Sequence, residues 1–266
     1  MELWQNMNYT SGISYLNNIF IYELDIQKAN INVLRSQGLL DDKTYEFLAN
    51  SERMVRQVYI GKLQKDQKYV KALKEGIIEA KRKLFEANNI QDYEVLSIKN
   101  DAVFIIGRIP ANTTFGLIKF IPKNKYTGFY KVLNYEFYYF YNSLTKEEYL
   151  DVKGIGNDAL RKHADFFYQF LKDLFYTIQC NGVEIALRLL KDYYMQYISL
   201  QLPVGNYRKF DPISDYHFKT KTSMGTGFSI EEASDDQRQY LDISMNLKIL
   251  LELQKILNNM YFNKYK

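Results

Sequence analysis

The sequence predicts an α+β protein in which an antiparallel sheet with packed helices is followed by a mostly helical lobe. Short runs of β-branched and aromatic residues alternate with helical stretches over the first 145 residues. Beyond about residue 157, apolar residues recur mainly at helical spacing. Hydrophobic residues make up 47% of the 266 residues and charged residues 25%, which is typical of a folded globular chain. We therefore divide the chain into residues 1–145 and 146–266.

The first lobe begins with a strand and a helix. The apolar run from Asn18 to Leu24 predicts a strand that ends at Asp25, and the spacing that follows predicts a helix. Residues 41–89 predict further helices, with a lysine-rich solvent face between residues 61 and 79. Two apolar runs between residues 94 and 109 then predict a β-hairpin with Asp101 at its tip.

The rest of the chain combines two more strands with three helical regions. Residues 115–121 and 134–142 predict strands, and the lysines between them are either turn residues or ligand-binding residues. Residues from 157 to about 202 predict two helices. Residues 203–234, which contain Pro, Gly, Ser and Thr, predict a long irregular connection. A last amphipathic helix is expected from residues 234–236 to about residue 260.

Composition excludes several classes of protein. The formal net charge is only +4, so any nucleic-acid site must be a local patch of charge. A single cysteine excludes an internal disulfide, and two histidines with one cysteine argue against a classical zinc enzyme. No secretory signal and no membrane-length apolar run is evident, so we expect no membrane partner and a cytoplasmic location. The 24 Tyr and 17 Phe residues favour core packing over base stacking.

Two acidic residues occupy comparable positions beside predicted strands. Asp25 ends one strand, and Asp101 lies in the turn of the hairpin. Carboxylates at the edge of a buried sheet repel each other unless cations neutralise them. Two Mg²⁺ ions about 4 Å apart would neutralise the pair and create a site for phosphoryl transfer. The alternative is that each carboxylate is an ordinary turn residue.

Five segments follow one another in a recognisable order. They are DIQKANINVL from Asp25, RMVRQVYIG from Arg53, SIKNDAVF from Ser97, KNKYTG from Lys123 and DVKGIGNDALRKH from Asp151. In this order they resemble the palm and thumb of family B DNA polymerases. The resemblance implies a palm-like domain over residues 1–145 with a short helical fingers insert at about 33–75. It also implies a helical thumb-like domain over residues 146–266.

The resemblance implies a template-directed nucleotidyltransferase that uses Mg²⁺ or Mn²⁺. Asp25 and Asp101 would be the catalytic residues and, with the Ile26 carbonyl, the metal ligands. The implied nucleotide-binding residues are Ile26, Asn30, Arg53, Gln57, Gly61 and Lys62. The implied nucleic-acid-binding residues are Lys99, Lys123, Lys125, Tyr126, Lys153 and Gly154. The partners would be nucleoside triphosphates and a primer-template or a single-stranded nucleic acid.

Three positions depart from the family pattern. Asn30 stands where the family has the tyrosine that excludes ribonucleotides, which predicts weak sugar discrimination. Arg53 replaces a lysine and cannot readily donate a proton to pyrophosphate. Lys99 replaces the first aspartate of the hairpin motif, so the predicted metal site has fewer carboxylates.

Three functional interpretations remain open on the sequence. The first is an active minimal DNA or RNA polymerase, or a primase-like enzyme, from a phage or mobile element and acting in the host cytoplasm. The second is a catalytically silent palm that binds nucleic acid or a protein partner as a scaffold. The third is one subunit of a split polymerase whose second subunit is encoded separately.

Overall fold

The computed structural model describes residues 2–154, 165–203, 206 and 243–263. Within these ranges the chain forms eight strands and seven α-helices, which confirms the α+β class with an antiparallel sheet. The strands are β1 (Asn8–Thr10), β2 (Tyr15–Ile26), β3 (Val95–Lys99), β4 (Ala102–Ile106), β5 (Thr114–Phe115), β6 (Ile118–Val132), β7 (Tyr135–Tyr141) and β8 (Glu148–Lys153). The helices are α1 (Ala29–Ser36), α2 (Asp42–Asn50), α3 (Arg53–Leu63), α4 (Gln67–Asn88), α5 (Asp165–Cys180), α6 (Val183–Ile198) and α7 (Ile243–Asn263). None of the helices in these ranges is both long and apolar enough to cross a membrane.

The chain divides into two compact units, and β2 and β6 contribute residues to both. The first unit contains Met1–Gly12 and Ile19–Lys125, and the second contains Ile13–Asn18 and Tyr126–Lys266. The strand order in the first unit is β1-β3-β4-β2-β6, with β5 paired to β6. In the second unit the order is β2-β6-β7-β8. The division into a palm-like domain over residues 1–145 and a thumb-like domain over residues 146–266 stays a prediction.

The first unit places its two acidic positions at one end of the sheet. In the antiparallel pair of β2 and β4, Asp25 lies opposite Ala102. β3 and β4 form the predicted hairpin, with Lys99 opposite Ala102 and a two-residue turn between them. Asn100 in that turn has a φ of 55°, a left-handed conformation that asparagine tolerates well. The predicted strand and hairpin are therefore confirmed.

Two of the four helices of the first unit, α2 and α4, begin at side-chain caps. The Asp41 carboxylate accepts a hydrogen bond from the Thr44 amide at 2.8 Å and caps α2. Asp66 caps α4 in the same way. The predicted apolar stripe on α4 is buried in a core shared with β2, β3, β4 and α1, apart from Val70, which is 38% exposed.

The second unit has its own apolar core between strands and helices. Aromatic residues of β6 and β7 pack against α5, and the rings of Tyr130 and Phe175 stack with centroids 4.3 Å apart. α6 and α7 contribute aliphatic residues to the same core. The high aromatic content thus supplies core residues here, as expected.

Two strand assignments differ from the sequence-based expectation. Residues 122–132, expected to connect two strands, continue β6, so Lys123 and Lys125 are strand residues and not turn residues. β8 lies in the lobe that was expected to be mostly helical. Each of its six residues pairs with a residue of β7, and Leu150 and Val152, two residues apart, are buried. The expected connection at 203–234 and the expected start of the last helix lie almost entirely outside the described residues.

Candidate active site

The carboxylates of Asp25 and Asp101 meet at the end of the β2 and β4 pair. Asp25 faces Ala102 across the ladder, and Asp101 directly precedes Ala102, so the register brings the two side chains together. Burial, reinforced by the charge of Asp25, raises the pKa of the Asp101 carboxyl to about 6. The two predicted acids therefore lie next to each other in the structure, and their negative charges repel each other.

Lys123 of β6 contacts this pair from the adjacent strand. Its Nζ lies 3.3 Å from Asp25 Oδ2 and 3.6 Å from Glu23 Oε1. Glu23 is almost fully buried, and its Oε2 also accepts a hydrogen bond from Asn124 Nδ2 at 2.6 Å. The positive charge of Lys123 opposes the rise in the pKa of Asp101. One ammonium group thus interacts with three carboxylates.

The acidic pair opens into a cavity of about 300 Å³ formed entirely by the first unit. Besides the two aspartates, the cavity is lined by four cationic side chains. These are Lys28, Arg53, Arg56 and Lys123. Of the other predicted nucleotide-binding residues, Ile26, Asn30 and Gln57 also line it. A cavity whose wall carries two acids and several cations suits a metal-bound polyphosphate.

The start of α1 forms part of the cavity wall. Lys28 precedes the helix in a left-handed conformation with a φ of 48°, and its Nζ donates to the Ala49 carbonyl at 2.6 Å. The first turn of α1 contains no acidic residue, and no side chain caps it. Because the free amides of a first turn carry partial positive charge, this end of α1 adds to the positive potential of the cavity.

The α3 helix presents its polar residues to the same cavity. Arg53, Arg56 and Gln57 lie three and four residues apart, which places them on one helix face. Arg56 also donates from Nη1 to the Ser51 carbonyl, which orients its guanidinium. The α3 helix therefore brings two guanidinium groups to the wall of this cavity.

The donor set suits one hard divalent cation. Carboxylate oxygens are the ligands that Mg²⁺ prefers, and it is commonly bound through one or two of them. Asp25 and Asp101 can supply these oxygens and would gain relief from their mutual repulsion. In the described ranges, no three His, Cys, Asp or Glu side chains are placed together to hold a metal ion.

Several predicted residues of the first unit lie outside the cavity wall. Gly61 and Lys62 follow Ile60, the last α3 residue that lines it. Lys99 donates from Nζ to Thr10 Oγ1 at 3.0 Å. Lys125 places its Nζ 3.6 Å from the centroid of the Phe20 ring. These three lysines do not join the four cations around the acidic pair.

The remaining predicted residues belong to the second unit. The Tyr126 side chain is fully buried, and its hydroxyl donates to Asp151 Oδ2 at 2.9 Å. Lys153 forms an ion pair with the same carboxylate oxygen at 2.7 Å. Gly154 has a φ of 98°, and a Cβ there would lie 2.8 Å from the Asn134 carbonyl oxygen. In this conformation these contacts give Tyr126 and Gly154 structural roles.

Three side chains of the site were not among the predicted site residues. Lys28 carries no recognisable motif, and its contribution depends on the left-handed residue that begins α1. Arg56 was visible only as a second arginine in the α3 segment. Glu23 lies two residues before Asp25, a spacing that places both side chains on one face of a strand. That spacing was the one sequence signal available for it.

A buried lysine lies behind the hairpin turn. Lys81 of α4 has no exposed surface, and its Nζ donates to the Asn6 carbonyl. Burial lowers the pKa of this ammonium to about 8, and the negative charge of Asp101 partly opposes that shift. Lys81 is therefore a buried positive charge that interacts with Asp101 of the acidic pair.

Comparison with known proteins identifies a phage family. Residues 1–259 match the family described as the bacteriophage PBS1 gene 130 protein. The chain belongs to this family. The match spans most of both compact units. No curated protein has a matching sequence.

Proposed function

We propose that this phage-family protein is a metal-dependent nucleotidyltransferase with a palm-like first domain. The observation that carries the proposal is the cavity in which Asp25 and Asp101 face Lys28, Arg53 and Arg56. Acids that can hold a divalent ion and cations that can hold phosphates are the two requirements of phosphoryl transfer. Neither requirement alone would distinguish this site from a surface ion-pair cluster.

The roles within the site follow from the chemistry of each side chain. Asp25 and Asp101 would hold Mg²⁺ or Mn²⁺, which would supply Lewis-acid activation of the reacting phosphate. Arg53 and Arg56 have forked donors that suit the non-bridging oxygens of a triphosphate. Lys28 and the free amides of α1 would add positive charge at the same phosphates.

The sugar and the nucleic acid would contact neighbouring residues. Asn30 lines the cavity and can donate to a hydroxyl, so it is the proposed contact for the sugar. Lys125 and Lys153 remain proposed contacts to the nucleic-acid backbone, which would position the substrate without reading its sequence. The substrates would be nucleoside triphosphates and a primer-template or a single strand, in the cytoplasm of the phage host.

A matched pair of arginine and lysine variants tests the proposal independently of turnover. Arg56→Ala removes a cavity cation, whereas Lys62→Ala removes an exposed cation of the same helix outside the cavity. Loss of a charge-assisted contact of about 1.5–3 kcal/mol should weaken binding of a fluorescent nucleoside triphosphate by roughly 10- to 100-fold in Arg56→Ala. Lys62→Ala should bind like the wild type. Equal affinities of the two variants would contradict the proposal.

A second measurement addresses catalysis. Purified chain should incorporate labelled nucleotide on a primed template with Mg²⁺ or Mn²⁺, and Asp101→Asn should lose this activity. Incorporation that survives the substitution would contradict the assigned role of the acidic pair.

A silent nucleic-acid-binding scaffold, acting alone or as a subunit of a split polymerase, is the second candidate. The observation that favours it is the ion pair between Lys123 and Asp25, which occupies one carboxylate oxygen of the site. Under this alternative, the chain still binds triphosphate or nucleic acid, but neither Mg²⁺ nor Mn²⁺ supports nucleotide incorporation.

A further inference from the structure

The Lys123 ammonium occupies the acidic site as a resident cation. We infer that Lys123 takes the place of the second divalent ion of a two-metal site, so that this chain binds one divalent ion beside a fixed ammonium group. The inference rests on the proposed function, because it concerns the metal content of the same site. It makes Lys123 part of the catalytic cation set and not a distant nucleic-acid contact.

Lys123 is anchored by a residue other than the candidate metal ligands. Its Nζ lies 3.6 Å from Oε1 of Glu23, whose side chain is only 2% exposed. A buried carboxylate is strongly destabilised when its cationic partner is removed. Asn124 Nδ2 also donates to this carboxylate, and it is a neutral group. Glu23 therefore stabilises Lys123 in position whether or not Asp25 binds a metal ion.

The same ammonium already neutralises one ligand. It lies 3.3 Å from Asp25 Oδ2, whereas Mg²⁺ would bind that oxygen at about 2.1 Å. Two divalent ions about 4 Å apart with the ammonium beside them would place five positive charges against three carboxylates. One divalent ion with the ammonium gives three positive charges against the same three carboxylates. For Lys123 and these three carboxylates, the arrangement with one divalent ion is the balanced one.

The rest of the hairpin supplies no replacement ligand. At the position where the resembled family carries a further aspartate, this chain has Lys99, and its ammonium donates to Thr10 Oγ1. Asp25 and Asp101 thus remain the two acidic ligands that face the cavity. One or two carboxylates are sufficient for a single Mg²⁺ ion, which otherwise retains water or binds substrate phosphates.

Counting bound Mn²⁺ on the full-length chain by electron paramagnetic resonance tests this inference without turnover. We expect one Mn²⁺ per wild-type chain and two per Lys123→Met chain, because the substitution removes the positive charge beside Asp25 Oδ2 and Glu23 Oε1. Lys125→Met is the matched control, since Lys125 lies on the same strand and contacts the Phe20 ring instead. It should still bind one Mn²⁺.

A second neutral variant keeps the test decisive if Lys123→Met does not fold. Lys123→Gln also removes the ammonium charge, and its amide can still donate a hydrogen bond to Glu23, so it should also bind two Mn²⁺. Two ions on the wild type, or one on both Lys123 variants, would overturn the inference while leaving the metal-dependent function intact. No bound Mn²⁺ on any of these chains would instead overturn the proposed metal-dependent function, and the inference with it.

Discussion

Replacing Asp101 by asparagine measures the energetic cost of holding the acidic pair together. Burial and the charge of Asp25 raise the pKa of the Asp101 carboxyl to about 6, roughly two pH units above an ordinary aspartate. Such a shift corresponds to about 3 kcal/mol of destabilisation once the group is ionised. Asp101 keeps part of its solvent exposure, so screening reduces the value. We expect Asp101→Asn to stabilise the chain by about 1–2 kcal/mol at neutral pH.

The sign of the effect fixes its pH dependence. The native pKa lies above the unfolded pKa, so the native state binds more protons than the unfolded state between about pH 4 and about pH 6. The contribution of Asp101 to stability is therefore fully present below that window and is lost as the pH rises through it. The variant should lack this loss, and its advantage over the wild type should grow across the window.

Urea unfolding of both proteins across this pH range measures the difference directly. Asp92→Asn is the control, because Asp92 is an exposed carboxylate of the same unit. A gain of 1 kcal/mol corresponds to roughly 2–4 °C in Tm for a chain of this size. A variant that is less stable than the wild type at neutral pH, or an advantage that does not change with pH, would refute the electrostatic argument. The control should show neither effect.

Three further predictions concern a buried lysine, a glycine turn and the sugar. The native pKa of Lys81 is lowered to about 8 by burial, so the unfolding free energy should rise with pH between about pH 8 and about pH 10 in the wild type, and this rise should disappear in Lys81→Met. Gly154→Ala should lower the unfolding free energy, measured by chemical denaturation, by about 1–3 kcal/mol, since φ is 98° and the new Cβ would contact the Asn134 carbonyl. A variant as stable as the wild type would show that the turn can adapt. Asn30→Tyr should increase the preference for deoxynucleotides from the few-fold expected for the wild type, and strong selectivity without the substitution would move the sugar contact elsewhere.

Local sequence patterns determined the elements that carry the site. Alternating and continuous apolar runs predicted β2 and the β3–β4 hairpin, because β3, β4 and the second half of β2 are largely buried. The helical period predicted the buried stripe of α4 for the same reason. Asp25 and Asp101 could be selected because a carboxylate beside a buried strand is unusual. Their pairing was expected from the resemblance and from the sheet edge.

Tertiary structure alone decided which charges accompany the acidic pair. Lys28 reaches the cavity because its own backbone is left-handed where α1 begins. Lys123 reaches it because β6 pairs with β2, and neither lysine has a local sequence signature. Lys125 lies only two residues from Lys123, yet it contacts an aromatic ring instead of a carboxylate. Periodicity reports which residues are buried, but the partner of a long charged side chain depends on the neighbouring strand and helix. For this reason the sequence determined the acids and the elements, and the packing of β6, α1 and α3 determined the cations around them.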